Sequence, residues 1–234
     1  MTIIFRKELR YFFASMSGFV FLSVFWAVSG IYFALGQLAL QNGDIKSFAS
    51  ALITVLMFVL PLLTMRLYAE ERNMRTEELL LSAPVRITDI ILGKYAAAMV
   101  VFAAALAPAI VFPFILAGLH APDFLSAAGC YTGLTLIAGA YISLGLLLSV
   151  CTESQTAAAA ATYAVFLLMY LVSPQGGMSP SGFAGSIAAF FSLPARFNGF
   201  SYGIFNFADI FYCLSAAALF LFLSIFVLED RRLA

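Results

Sequence analysis

Charge is scarce in this sequence: Asp, Glu, Lys and Arg make up 10% of its 234 residues, against 63% hydrophobic. Histidine occurs once, as His120, and reads as a polar loop residue. The three cysteines, Cys130, Cys151 and Cys213, follow no metal or redox spacing and read as small apolar packing residues. No metal, thiol or cofactor chemistry is supported. A G-x-x-x-x-G-K-[ST] phosphate loop is missing, since the Gly93-Lys94 pair is followed by Tyr95. No polar stretch is long enough for a nucleotide-binding domain. The only paired carboxylates at a membrane face, Glu70 and Glu71, are adjacent, so on a helix they diverge by about 100° and share a site poorly. No catalytic residue is assigned. Any energy source has to come from a partner.

Apolar-polar alternation is missing too. Runs such as VFLSVFWAV and SAAALFLFLSIFVL lack the period of two that a membrane β-barrel strand needs. What is present instead is a set of long apolar runs, with a mean hydropathy of +1.02. A helix needs about 20 such residues to cross a hydrocarbon core of about 30 Å. Six runs qualify: Ser17–Leu40, Phe48–Leu67, Tyr95–Leu119, Leu125–Val150, Thr156–Val172 and Asp209–Leu228. The fold class is therefore all-α integral membrane, with six transmembrane helices in a single domain over 1–234. The first run exceeds the h-region of a secretory signal and is expected to remain as a helix. The span interiors hold no Asp, Glu, Lys or Arg, which argues against an intramembrane proton or sodium relay.

The formal net charge is zero, but its distribution is lopsided. With both termini inside, Arg6, Lys7, Arg10, Arg66, Arg72, Arg75, Arg86, Lys94, Arg231 and Arg232 lie on the cytoplasmic side. Only Lys46 and Arg196 lie outside, so 10 of the 12 basic residues are inside. Residues 1–16 read as an interfacial amphipathic helix: Phe5, Leu9, Phe12, Phe13 and Met16 gather on one side, and Arg6, Lys7 and Arg10 on another. Pro108 and Pro113 predict a bend in the outer half of the third span. Residues 173–208 carry short apolar pieces broken by Gly and Pro, the pattern of a re-entrant or interfacial segment on the outer face.

One stretch gathers the charge that the rest lacks: YAEERNMRTEELLLSAP, Tyr68–Pro84, between the second and third spans. Thr76 is placed to cap a short helix. Glu77 and Glu78 suit its positive end, and Pro84 limits it. Thr88-Asp89 offers a second cap, from which the chain re-enters the membrane. The density of both signs, with Leu79-Leu80-Leu81 alongside, reads as a helix-turn docked against another protein.

MRLYAEERNMRTEELLLSAPVRITDIILGKYAAA resembles the cytoplasmic segment of ABC-2-type permeases, and specifically the gliding-motility-associated permease subfamily. The matching elements are Ala69-Glu70-Glu71-Arg72, Thr76-Glu77-Glu78-Leu79-Leu80-Leu81, Pro84-Val85 and Gly93-Lys94-Tyr95. Arg75 departs from the pattern, standing where a glycine often precedes the threonine. RFNGFSYGIFNFADIFYCLSAAALFLFLSIFVLEDRR is similar to that subfamily's last span and its L-E-x-R-R ending. The resemblance covers all six spans in order. It implies a transmembrane permease subunit of an ATP-binding cassette transporter, an exporter in the bacterial cytoplasmic (inner) membrane. Residues 68–94 would be its cytoplasmic coupling segment, with Glu70, Glu71, Arg72, Arg75, Thr76, Glu77, Glu78, Leu79, Leu80 and Pro84 engaging the ATPase. Implied partners are a separate ABC ATP-binding subunit holding ATP and Mg, and a second copy of the chain or a homologous permease. The bilayer is the third, auxiliary subunits stay open, and no nucleic acid is implied. The alternative function is a non-transporting membrane anchor or force transducer driven by the same kind of ATPase.

Overall fold

The computed structural model describes residues 1–39, 45–74, 76, 85–117, 124–173, 192–201, 203 and 206–233. Helix α1 (Thr2–Ala14) precedes α2 (Met16–Phe33), which continues through a π turn at Ala34–Leu38. Helix α3 (Ile45–Thr64) leads into the single turn α4 (Ala69–Asn73). Helix α5 (Ile87–Leu106) passes through a 3-10 stretch, Ala107–Val111, into α6 (Phe112–Ala117). Then come α7 (Phe124–Cys151), α8 (Gln155–Val172), the short α9 (Phe197–Ser201) and α10 (Phe207–Leu233). Six of these stretches are long and apolar enough to cross a membrane, and no strand occurs among the described residues. The chain is an all-α, multi-pass membrane protein.

Helix α7 is the axis of the bundle. It packs against α3, α5, α8, α9 and α10 and is buried along most of its length. Small residues make that possible, because apolar lipid gives helices little reason to associate except close packing. At Gly145 an added Cβ would sit 2.5 Å from Thr64 Oγ1 of α3. At Gly133 it would sit 2.7 Å from Phe200 Cβ of α9. In contrast, α10 turns Phe211, Leu214, Leu219, Phe222 and Phe226 outward, as a helix does when its solvent is hydrocarbon.

Both termini lie at one end of the bundle. The terminal amine is 3.6 Å from Asp89, and Glu229 and Arg232 border a groove with Arg86 and Thr88. The α5 start differs from expectation. Arg86 holds the N-cap position without a side-chain cap bond, while Thr88 and Asp89 already lie within the first turn. The helix also begins at Ile87, eight residues before the apolar run, because its mixed first turns, with Ile87, Ile90, Ile91 and Lys94 buried, pack on α1.

At the opposite end, Leu193, Pro194, Phe197 and Phe200 are buried, and α9 rests on Gly129 and Gly133 of α7. This part of the 173–208 segment folds back onto the bundle. The chain leaves α9 through Gly203, whose φ of +70° favours glycine. Residues 174–191 lie outside the described residues, as do His120 and Asp123.

Candidate functional site

Of the residues expected to engage an ATPase, Glu70, Glu71, Arg72 and Thr76 are described. Arg75, Glu77, Glu78, Leu79, Leu80 and Pro84 lie outside the described residues. The four described ones form the root of the charged segment, and that root is fastened to three other parts of the bundle.

The fastening starts where α3 ends. Ser149 of α7 accepts from the backbone N–H groups of Tyr68 (3.1 Å) and Ala69 (3.0 Å) and donates to the Met65 carbonyl (3.3 Å). One hydroxyl thus satisfies three backbone groups that a helix end leaves open. Glycine at 145 brings α7 close enough to do it. From this corner α4 projects Glu70 and Glu71 in different directions, as adjacent helical residues must.

Glu71 turns inward. Its Oε2 lies 2.9 Å from Lys94 Nζ of α5, an ion pair rather than an aligned hydrogen bond, and its Oε1 accepts from Lys7 of α1 at 3.1 Å. Lys94 is 1% exposed. It also donates to Glu8 Oε1 of α1 (3.0 Å) and to the Leu67 carbonyl (2.6 Å), and stands 5.9 Å from the centre of the Tyr68 ring. A buried ammonium is tolerable only with such a shell, since an unpaired one would lose its hydration for nothing. Two carboxylates against Lys94 leave one negative charge over, and Lys7 balances it. Burial alone would favour the neutral amine of Lys7, but the Glu71 charge and hydrogen bond, with Glu8 nearby, hold its pKa above the ordinary value.

Glu70 takes a separate partner, accepting from Tyr11 Oη of α1 at 2.7 Å. That hydrogen bond first, then burial and the Glu70 charge, push the Tyr11 hydroxyl up to about 12, so it remains a donor at neutral pH. The remaining oxygen, Glu70 Oε2, and Arg66 Nε are buried without a hydrogen-bond partner among the described residues. Both residues line a cavity of about 200 Å³ with Lys7, Lys94, Met74 and Thr76. Arg72 reaches the other way, to Glu153 at 2.7 Å and the Thr152 carbonyl at 3.3 Å, at the corner joining α7 to α8. Thr76 donates from both its N–H and its hydroxyl to the Glu71 carbonyl, closing the end of α4 behind it; the short helix it was expected to cap lies outside the described residues.

A family model for the ABC-2 family transporter proteins matches residues 3–180, which include this whole cluster. The chain belongs to that family. No curated protein matches it. As an ABC-2 permease it is a membrane subunit, and membership implies partnership with an ABC ATP-binding subunit. The sequence pointed to Glu70, Glu71, Arg72 and Thr76 but not to their anchors. Glu8 stood out only as an acid in a basic helix, Lys94 only as a motif residue and a cytoplasmic charge, and Tyr11 not at all.

Proposed function

We propose that this permease serves an ATP-driven exporter in the bacterial cytoplasmic membrane. The end of the bundle bearing both termini faces the cytoplasm. A separate ATPase, which binds ATP and Mg, docks on residues 70–84. Two such permeases, identical or homologous, enclose the pathway. The subfamily motifs at Ala69–Arg72 and Gly93–Tyr95 support placing it in the gliding-motility-associated branch.

The observation that carries the reading is the buried contact of Glu71 with Lys94, at 2.9 Å. A charged loop that served only membrane orientation would need no such attachment. A loop that receives force does. Because Lys94 sits two turns inside α5, displacement of the charged segment is passed to the third span. Arg72 passes it to the corner between the fourth and fifth spans, and Lys7, Glu8 and Tyr11 keep α1 in step. Short, buried, charge-assisted contacts suit that role because they resist sliding better than apolar packing does.

Reversing Glu77 and Glu78 tests the docking. In Glu77→Lys/Glu78→Lys, added positive charge agrees with a cytoplasmic location, so membrane abundance stays normal. Docking to the ATPase places like charge where carboxylates are needed, so co-purification of the ATPase falls by at least about tenfold, as loss of a close interfacial charge pair does. Normal assembly and normal transport in this variant would refute the docking.

A further inference from the structure

Helix α1 has two unlike faces. Ile4, Glu8 and Phe12 are buried, and the helix packs against α5 and α2. Lys7, expected on the basic face, turns instead to Glu71. What remains on the outer face is Arg6 and Arg10, one turn apart, both exposed and without an ion pair among the described residues. Beside them Ile3 is 85% exposed and Phe13 41%. Ile3 and Phe13 give the arginines an apolar margin.

The position of α1 adds to this. Extended backbone at Ser15 ends the helix, and an added Cβ at Gly18 would lie 2.0 Å from the Phe12 carbonyl oxygen. Only glycine allows α2 to leave so tightly, so α1 stays beside the foot of the first span. Directly after the corner, Met16 and Phe19 are exposed apolar residues of α2. The outer face of α1 is therefore continuous with the exposed apolar surface at the foot of the first span.

We propose that the outer face of α1 binds anionic phospholipid, with Arg6 and Arg10 holding headgroup phosphates and Ile3 and Phe13 entering the acyl boundary. Guanidinium suits a phosphate because its parallel N–H groups match two oxygens. The opposite face of the same helix holds Glu70, Glu71 and Lys94 through Tyr11, Lys7 and Glu8. Headgroup occupancy thus steadies the element on which the root of the charged segment is seated. This site does not depend on the ATPase reading above.

Binding of fluorescent phosphatidylglycerol to the purified full chain in detergent tests the proposal, with phosphatidylcholine of the same acyl chains as comparison. Wild type prefers phosphatidylglycerol, and salt weakens the preference. Arg6→Gln and Arg10→Gln each weaken it about fivefold, and together about 25-fold, from the usual contribution of one basic residue at an anionic surface. Arg86→Gln/Arg232→Gln, at another groove of the same end, leaves it unchanged. The two single variants decide the matter if the double variant does not fold. Equal binding of both lipids by wild type, or wild-type affinity in the α1 variants, overturns the proposal. An equal loss from Arg86→Gln/Arg232→Gln also overturns it, since that would be general charge. So does loss of ATPase co-purification with lipid affinity intact, which would assign this face to the protein partner.

Discussion

Lys94 shows what a single residue can carry. Its Nζ meets Glu8 of α1, Glu71 of α4 and the Leu67 carbonyl in the link between α3 and α4, while the side chain is 1% exposed. Removing one member of such a buried group is worse than removing all, because the survivors keep charge without partners. Lys94→Met is expected to destabilise the protein by about 3–5 kcal/mol. Lys94→Met/Glu8→Leu/Glu71→Leu, which replaces the charges by apolar groups of similar volume, should recover most of that loss. Unfolding in detergent, followed by the loss of helical signal, measures both. If the interaction serves coupling, the recovered triple variant should still assemble with the ATPase yet transport poorly. The partners were hidden in the sequence because Glu8 and Lys94 are 86 residues apart and only the packing of α1 on α5 brings them together.

Among the elements, the interrupted third span is the most informative. Pro113 has no N–H to give the carbonyl of Ala109, which accepts instead from the Phe112 N–H and from Tyr131 Oη of α7. The 3-10 stretch at Ala107–Val111 likewise opens the Ala105 carbonyl, which accepts from Trp26 Nε1 of α2 at 3.0 Å. Free carbonyls in a bilayer must find partners, and here neighbouring helices supply them. Tyr131→Phe leaves that carbonyl the Phe112 N–H and should cost about 0.5–1.5 kcal/mol, the net worth of one hydrogen bond. Pro113→Ala returns the missing N–H, so in that background Tyr131→Phe should cost well under half as much. A double-mutant cycle on unfolding free energy measures the difference; equal costs in the two backgrounds would mean that the two groups do not act on one carbonyl. The break itself was legible, since two prolines announce it. The donors were not, because Trp26 and Tyr131 look like ordinary lipid-facing aromatics in sequence. The 173–208 segment divides similarly: Gly and Pro marked it as irregular, but the close fit of Phe200 on Gly133 depends on which helix lies beneath it.

At the scale of the molecule, the six spans could be read because bilayer thickness fixes a length and an apolar content for each. The start of α5 escaped the same argument, since Thr88, Asp89 and Lys94 interrupt the apolar character of its first two turns, which pack on α1. The proposed topology rests on the positive-inside count, in which ten of the twelve basic residues are read as cytoplasmic. A cysteine at position 75, in a chain lacking Cys130, Cys151 and Cys213, should react with a membrane-impermeant reagent only after the cells are opened. One at position 43 should react in intact cells, and the reverse pattern would invert the model.

Coupling to a separate ATPase, with no nucleotide site in the permease itself, is tested most directly by ATP hydrolysis of the chain purified alone, set beside the chain isolated intact with its native partners. The single chain should hydrolyse no ATP, and the native complex should turn ATP over and contain a co-purifying Walker-motif ATPase. Hydrolysis by the single chain, or a native isolate with transport but no ATPase, would contradict that coupling.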